Sequence, residues 1–395
     1  MATKNFIPLC ILLIYQTVAE SSNLQPSNPS DWSPSISSIP YPSSLHGIQA
    51  AYWPSFNEIS PSSIDTKYFT HILYAFLLPE IGTYKLDITP IDQTKISEFV
   101  DALRTRNPPV KTLLSIGGGG SDPAVFSNMA STKHTREIFI NSTVEVARKF
   151  GFDGVDLDWE FPANDQDMSN LALLFKEWSI ALHNEAKINR RSRLLLTAAV
   201  YYASKFTVYG GLRSYPARAI NKYMDWVSPM CFDYHGSWEN FTGVNAALYD
   251  PKSNISTNYG IRSWIQAGVP PEKLVMGLPL YGRTWKLKDP NVNGIGAPAV
   301  GVGPGDGSSG TMDYYQILDF NNGTRATVVF DRLSVSYYSY VGDSWIGYDD
   351  VRSIQKKIRF ARTWGLRGYF FWALGKDKDW TLSIQASNTW RHQWP

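Results

Sequence analysis

Four acidic residues, Asp153, Asp156, Asp158 and Glu160, stand together in the run Phe152-Asp153-Gly154-Val155-Asp156-Leu157-Asp158-Trp159-Glu160-Phe161-Pro162. An extended chain points successive side chains to opposite faces, so Asp156, Asp158 and Glu160 share one face while Val155, Leu157 and Trp159 share the other. Three carboxylates this close cannot all ionise near neutral pH; they share protons, and one group remains an acid at working pH. That is the equipment of general-acid catalysis. Asp153 is out of phase with the other three and is expected to have a structural role. A calcium loop beginning at Asp156 would need Gly at its sixth position and Glu at its twelfth, where Phe161 and Asp167 stand. No metal and no cofactor is therefore expected.

Such a cluster needs a scaffold that ends a strand at a mouth. From Gly47 onward, β-type apolar runs alternate with helical or loop segments, and eight runs stand out: Ile48 to Trp53, Phe69 to Phe76, Lys111 to Ile116, Gly154 to Trp159, Leu194 to Val200, Trp226 to Phe232, Leu274 to Leu280 and Gly368 to Trp372. Between the fourth and fifth, Leu171, Leu174, Phe175, Trp178 and Leu182 fall on one helical stripe within Asn170 to Ala186. Strands alternating with helices imply parallel pairing with right-handed crossovers, and eight of them predict an α/β fold, a (β/α)8 TIM barrel. The stretch between the seventh and eighth runs is the longest, and within it residues 283–348 are expected to form a small α+β insertion beside the mouth. Barrels of this kind carry their chemistry at the carboxyl ends of the strands, where the acidic run lies.

Composition narrows the class further. The 395 residues carry 37 basic and 35 acidic side chains, a balance that argues against nucleic acid as a partner. Aromatic residues make up 14% of the chain, and flat rings suit flat apolar ligand faces such as those of sugars. Residues 1–19 read as a secretory signal, with Lys4 before the apolar run Phe6 to Tyr15 and small residues at Thr17-Val18-Ala19. Residues 20–45, rich in Ser and Pro, read as a flexible leader ahead of a domain at 46–395. No later run reaches the ~18 apolar residues of a membrane helix. The mature protein is expected to be secreted and extracellular, or vacuolar, without a membrane anchor, and monomeric. Asn141, Asn240, Asn254 and Asn322 head four Asn-x-Ser/Thr sequons compatible with glycosylation on that route. Cys231 is the only cysteine beyond the signal, so no internal disulfide is expected; it reads as a small buried hydrophobe.

The pattern Asp153-x-x-Asp156-x-Asp158-x-Glu160 resembles the catalytic signature of glycoside hydrolase family 18, and the chain from about Gly47 is similar to the plant class V chitinases over roughly 340 residues. Further motifs carry the resemblance: Ser115-Ile116-Gly117-Gly118-Gly119, Met230-Cys231-Phe232-Asp233-Tyr234-His235-Gly236, Tyr281-Gly282-Arg283 and Gly368-Tyr369-Phe370-Phe371-Trp372.

The resemblance implies an endo-acting chitinase on β-1,4-linked N-acetylglucosamine chains, chitin, its oligosaccharides or lipochitooligosaccharides. Glu160 would protonate the glycosidic oxygen, and the substrate's own acetamide would attack the anomeric carbon. Asp158 would accept the acetamide N–H, Asp156 would share its proton, and Asp233 would complete the catalytic set. Trp372 would floor the sugar before the scissile bond. Tyr52, Phe76 and Ala199 at strand ends, Met230, Phe232, Tyr281 and Arg283 would line the cleft, with Gly117 and Gly118 allowing close backbone approach. One departure stands out, because active members commonly have Tyr where Phe232 stands, and its hydroxyl donates to the attacking acetamide oxygen. A chitin-binding lectin with little turnover is the alternative that Phe232 motivates.

Overall fold

The structure, a computed structural model, describes residues 47–56, 59–207 and 211–392. The signal and leader expected at 1–45 lie outside the described residues. Seven barrel strands come first, β1 (Ile48–Pro54), β2 (His71–Pro79), β3 (Lys111–Gly117), β4 (Gly154–Asp158), β5 (Leu195–Tyr201), β6 (Trp226–Met230) and β7 (Val275–Pro279), apart from short two-residue strands in the connections. The chain then leaves for β8 (Tyr281–Leu287), β9 (Ala299–Val302), β10 (Thr311–Asp313), β11 (Thr327–Asp331), β12 (Ser336–Val341) and β13 (Ser344–Tyr348), and returns in β14 (Gly368–Trp372). The parallel order β7-β14-β1-β2-β3-β4-β5-β6, joined across its ends by the parallel bridge Val227 to Leu274, makes a (β/α)8 barrel. Strands β8 to β13 form a separate antiparallel sheet with the helix Tyr314–Thr324.

Strand parity divides the core into two. Outside the barrel, Val155, Leu157 and Trp159 pack with Leu171, Leu174, Phe175, Trp178 and Leu182 of the helix Asp165–Ile188. That helix begins five residues before the apolar stripe suggested, because Asn164 caps it, its Oδ1 accepting from the Asp167 backbone N–H at 2.9 Å. Inside the barrel, Ala50, Tyr52, Leu73, Ala75, Leu113, Trp226, Val275 and Phe370 form a small apolar plug. Asp156 and Asp158 face the barrel interior next to this plug and are buried, so both carboxylates sit in low-dielectric surroundings.

Candidate active site

Cross-strand register builds the site in rows. Ser115, Asp156 and Thr197 are partners across β3, β4 and β5, and two residues further toward the carboxyl ends so are Gly117, Asp158 and Ala199. In the lower row, Asp156 accepts from Ser115 Oγ at 2.7 Å, Thr197 Oγ1 at 2.5 Å and the Tyr52 hydroxyl at 2.9 Å. Hydrogen bonds to a charged group contribute about 1.5–3 kcal/mol each, which makes burial of this carboxylate tolerable. In the upper row the flanking Gly and Ala side chains offer no donor. Asp158 Oδ1 is consequently buried with no hydrogen-bond partner among the described residues. Glu160, the next residue on this face, is only partly buried at the mouth.

These surroundings sort the three acids. Burial pushes Asp156 up, while the hydroxyls of Thr197, Ser115 and Tyr52 pull it back. Asp158 is held well above the carboxylate range, first by burial and then by repulsion from Glu160 and Asp156. Glu160 is pushed up to about 7, first by burial and then by the charge of Asp233. A carboxyl titrating there still holds a proton in mildly acidic solution, which is what a general acid requires. Asp153 plays no part in this, since its Oδ2 accepts from the Thr112 backbone N–H at 2.9 Å near the amino ends of the strands.

Aromatic side chains floor the mouth. Trp372 and Phe76 are stacked, with centroids 5.7 Å apart and planes 19° apart, and both are partly exposed. Tyr52 lies beneath this floor rather than on the cleft wall. Its ring is 1% exposed, 5.6 Å from Trp372 and 5.4 Å from Phe370, and its hydroxyl is committed to Asp156. Ala199 projects inward beside Asp158 and is buried.

The far wall comes from the segment after β6 and from β8. Asp233 accepts from Arg283 Nε at 2.7 Å, and Arg283 Nη2 lies 2.6 Å from the same oxygen. The Arg283 guanidinium also lies 4.9 Å from the centroid of the Trp238 ring. Tyr281 is buried, and burial and the adjacent Asp233 charge hold its hydroxyl well above the usual range. Phe232 is partly exposed and packs edge-on to Tyr281 and Phe370 at 6.3 and 6.0 Å, presenting no donor, with Met230 against the same apolar plug. Tyr234 cannot supply the hydroxyl, because it faces the outer layer and pairs with Thr257 Oγ1 at 3.1 Å. Cys231 faces the same layer, where burial pushes its thiol up to about 12, and His235 is occupied with Glu239 at 2.9 Å. Among the described residues, no group of three His, Cys, Asp or Glu is placed to hold a metal. Asn141, Asn240, Asn254 and Asn322 are all exposed.

The glycine run has a division of labour that its sequence does not reveal. A Cβ on Gly117 would lie 2.0 Å from the Asp158 carbonyl oxygen, and one on Gly118 would lie 2.5 Å from the Phe76 ring; both residues have positive φ, 118° and 91°. These two are therefore required by packing within the protein. Gly119 is the one that faces the chemistry, a Cβ there lying 3.3 Å from Glu160 Oε1. Gly117→Ala is expected to cost more than about 2 kcal/mol in a denaturation experiment. Gly119→Ala should keep its stability and lose several-fold in kcat by pressing on the Glu160 carboxyl; an unchanged kcat would show that the carboxyl turns aside freely.

The chain is similar to characterised proteins along most of its length. The profile described as Glycosyl hydrolases family 18 matches residues 49–377. Class V chitinase CHIT5a of Medicago truncatula is 63% identical over 349 residues, which is 88% of this chain and 90% of that protein. A crystal structure of a class V chitinase mutant from Nicotiana tobaccum in complex with NAG4 superposes with a TM-score of 0.84 at 37% identity, covering 87% of this chain and 99% of that one. The chitinase-like agglutinin from Robinia pseudoacacia superposes with a TM-score of 0.79 at 39% identity, covering 86% and 99%. The profile runs from β1 past β14 and takes in the whole carboxylate row at the barrel mouth, so the chain belongs to glycosyl hydrolases family 18.

Proposed function

We propose that the protein is a secreted, endo-acting chitinase that cleaves β-1,4-linked N-acetylglucosamine chains, including chitooligosaccharides and their lipid-acylated forms, by substrate-assisted catalysis with retention. One observation carries this reading: among the described residues nothing donates to the buried acceptor Asp158 Oδ1, and just beyond it on the same face stands Glu160, pushed up to about 7. A substrate acetamide N–H supplies the missing donor. Held there, the acetamide oxygen attacks the anomeric carbon, the glycosidic C–O bond breaks, and Glu160 gives its proton to the departing oxygen. Asp158, passing its proton to Asp156, stabilises the resulting cyclic cation by its charge; water then forms a bond to the anomeric carbon as the bond to the acetamide oxygen breaks, with Glu160 now taking a proton from the water. Trp372 and Phe76 offer the stacked surface on which a sugar ring can lie. The test is a time course with a hexamer of N-acetylglucosamine, read by mass spectrometry and by the anomeric form of fresh products. Short products in the β form support the reading; α-anomers would overturn retention.

Phe232 favours a second reading, a sugar-binding protein with little turnover, and the similarity to an agglutinin of the same fold points the same way. An intact hexamer that nevertheless binds would decide for it. Phe232→Tyr separates the two. A well-placed donor to developing charge contributes ~3 kcal/mol, so the substitution is expected to raise kcat by up to two orders of magnitude while KM changes little. No gain would mean that another group already serves that oxygen.

A further inference from the structure

Asp233 is the wall residue whose charge reaches Glu160, and its own placement is unusual. Its backbone is left-handed, with φ 58°, in a residue that is not glycine. Something must hold it there, and the structure supplies a single buried amide. Asn245, 1% exposed, accepts from the Asp233 backbone N–H at 3.1 Å through Oδ1 and donates from Nδ2 to the Tyr281 carbonyl at 3.0 Å, while its own carbonyl accepts from the Tyr234 N–H at 3.0 Å. One donor and one acceptor of fixed kinds orient the amide without ambiguity. It thereby ties the segment after β6 to the start of β8, the strand that carries Arg283. Asn245 is itself anchored from behind. The next residue, Ala246, gives its carbonyl to Lys357 Nζ, a buried ammonium that also pairs with both oxygens of Asp349 at 2.7 and 2.6 Å.

We propose that Asn245 is a positioning residue, whose amide fixes the Asp233 backbone so that the Asp233 carboxylate stays paired with Arg283 and directed at Glu160. The inference rests on the hydrolase reading of the site, but its consequence is measured on Glu160 itself. Besides burial, the charge that pushes Glu160 up is that of Asp233, itself paired with Arg283; the Glu160 charge in turn pushes up Asp158 on the same face and the hydroxyls of Tyr52, Tyr215 and Tyr281. Of these, Asp233 and Tyr281 are reached by the Asn245 amide.

The sign follows from charge. Asp233 disfavours the ionised form of Glu160, so loosening Asp233 lowers the pH at which Glu160 loses its proton. In the full-length protein labelled with [δ-13C]Glu, with the Glu160→Gln spectrum assigning the resonance, Asn245→Ala is expected to move the Glu160 midpoint down by about half a unit or more, in the direction of Asp233→Asn. The basic limb of kcat/KM on the hexamer should move with it. Asn245→Ser serves if the Ala variant does not fold. Asn321→Ala removes another buried amide, bonded to the Tyr348 hydroxyl at 3.1 Å, and should lower stability with no change in the Glu160 midpoint. An unchanged or raised midpoint in a folded Asn245 variant, with Asp233→Asn still lowering it, overturns the proposal. Absence of turnover in the unmodified protein would count against the hydrolase reading and leave the carbon titration to decide this one.

Discussion

Glu160→Gln is expected to lower kcat on a hexamer of N-acetylglucosamine by roughly two to four orders of magnitude, the range that a positioned general acid contributes. The substitution keeps the shape of the side chain and removes its proton. Oligosaccharide affinity should stay within a few-fold, because the stacked Trp372 and Phe76 and the acceptor on Asp158 are untouched. The unmodified protein should show the complementary pH dependence. Glu160 works in its protonated form and is pushed up to about 7 in the free protein, so kcat/KM falls as pH rises through that value and recovers when it is lowered again. Residual activity in the Gln variant should lack this limb. The check is a kcat and KM series across pH 5 to 9 for both proteins, with binding by calorimetry. Full turnover by the Gln variant would remove Glu160 from the mechanism.

Much of this site was legible because a strand has a period of two. Parity alone places Asp156, Asp158 and Glu160 on one face and sends Asp153 elsewhere, and the apolar faces of β4 and its helix follow from the same arithmetic. What parity cannot supply is depth and register. Tyr52 occupies the expected strand end, yet its ring lies under the floor, because Phe76 and Trp372 from neighbouring strands close over it. The donation of Ser115 and Thr197 to Asp156 is not legible in sequence, since it depends on which residue of β3 and of β5 stands opposite it. Gly119 was hidden in a run of like residues whose roles differ only in three dimensions. Asn245 lies in the long connection between β6 and the helix Thr257–Gln266, where no periodicity operates, and its importance comes from a backbone N–H and a carbonyl 12 and 36 residues away.

Asp158 is the place where the fold sacrifices stability for chemistry, and Asp158→Asn should expose both sides of that exchange. Its carboxylate is buried between Gly117 and Ala199, which cannot donate to it, and near two other acids. A carboxyl whose folded-state affinity for its proton is raised favours folding below the ordinary carboxylate range and loses that contribution as pH rises through the folded value. An uncharged amide avoids the penalty, so the Asn variant is expected to melt several degrees higher than the unmodified protein, with a gap that widens as pH is raised. Catalysis should suffer in proportion to the charge that develops on the acetamide. Asn keeps an acceptor for the bound N–H but no negative charge for the cyclic cation, so the loss falls on kcat, about 10²–10³-fold, with KM changed only a few-fold. Thermal unfolding across pH and steady-state kinetics on the hexamer measure the two effects in one preparation. A variant that loses activity without gaining stability would mean that Asp158 gives up its proton as easily in the folded protein as in the unfolded chain.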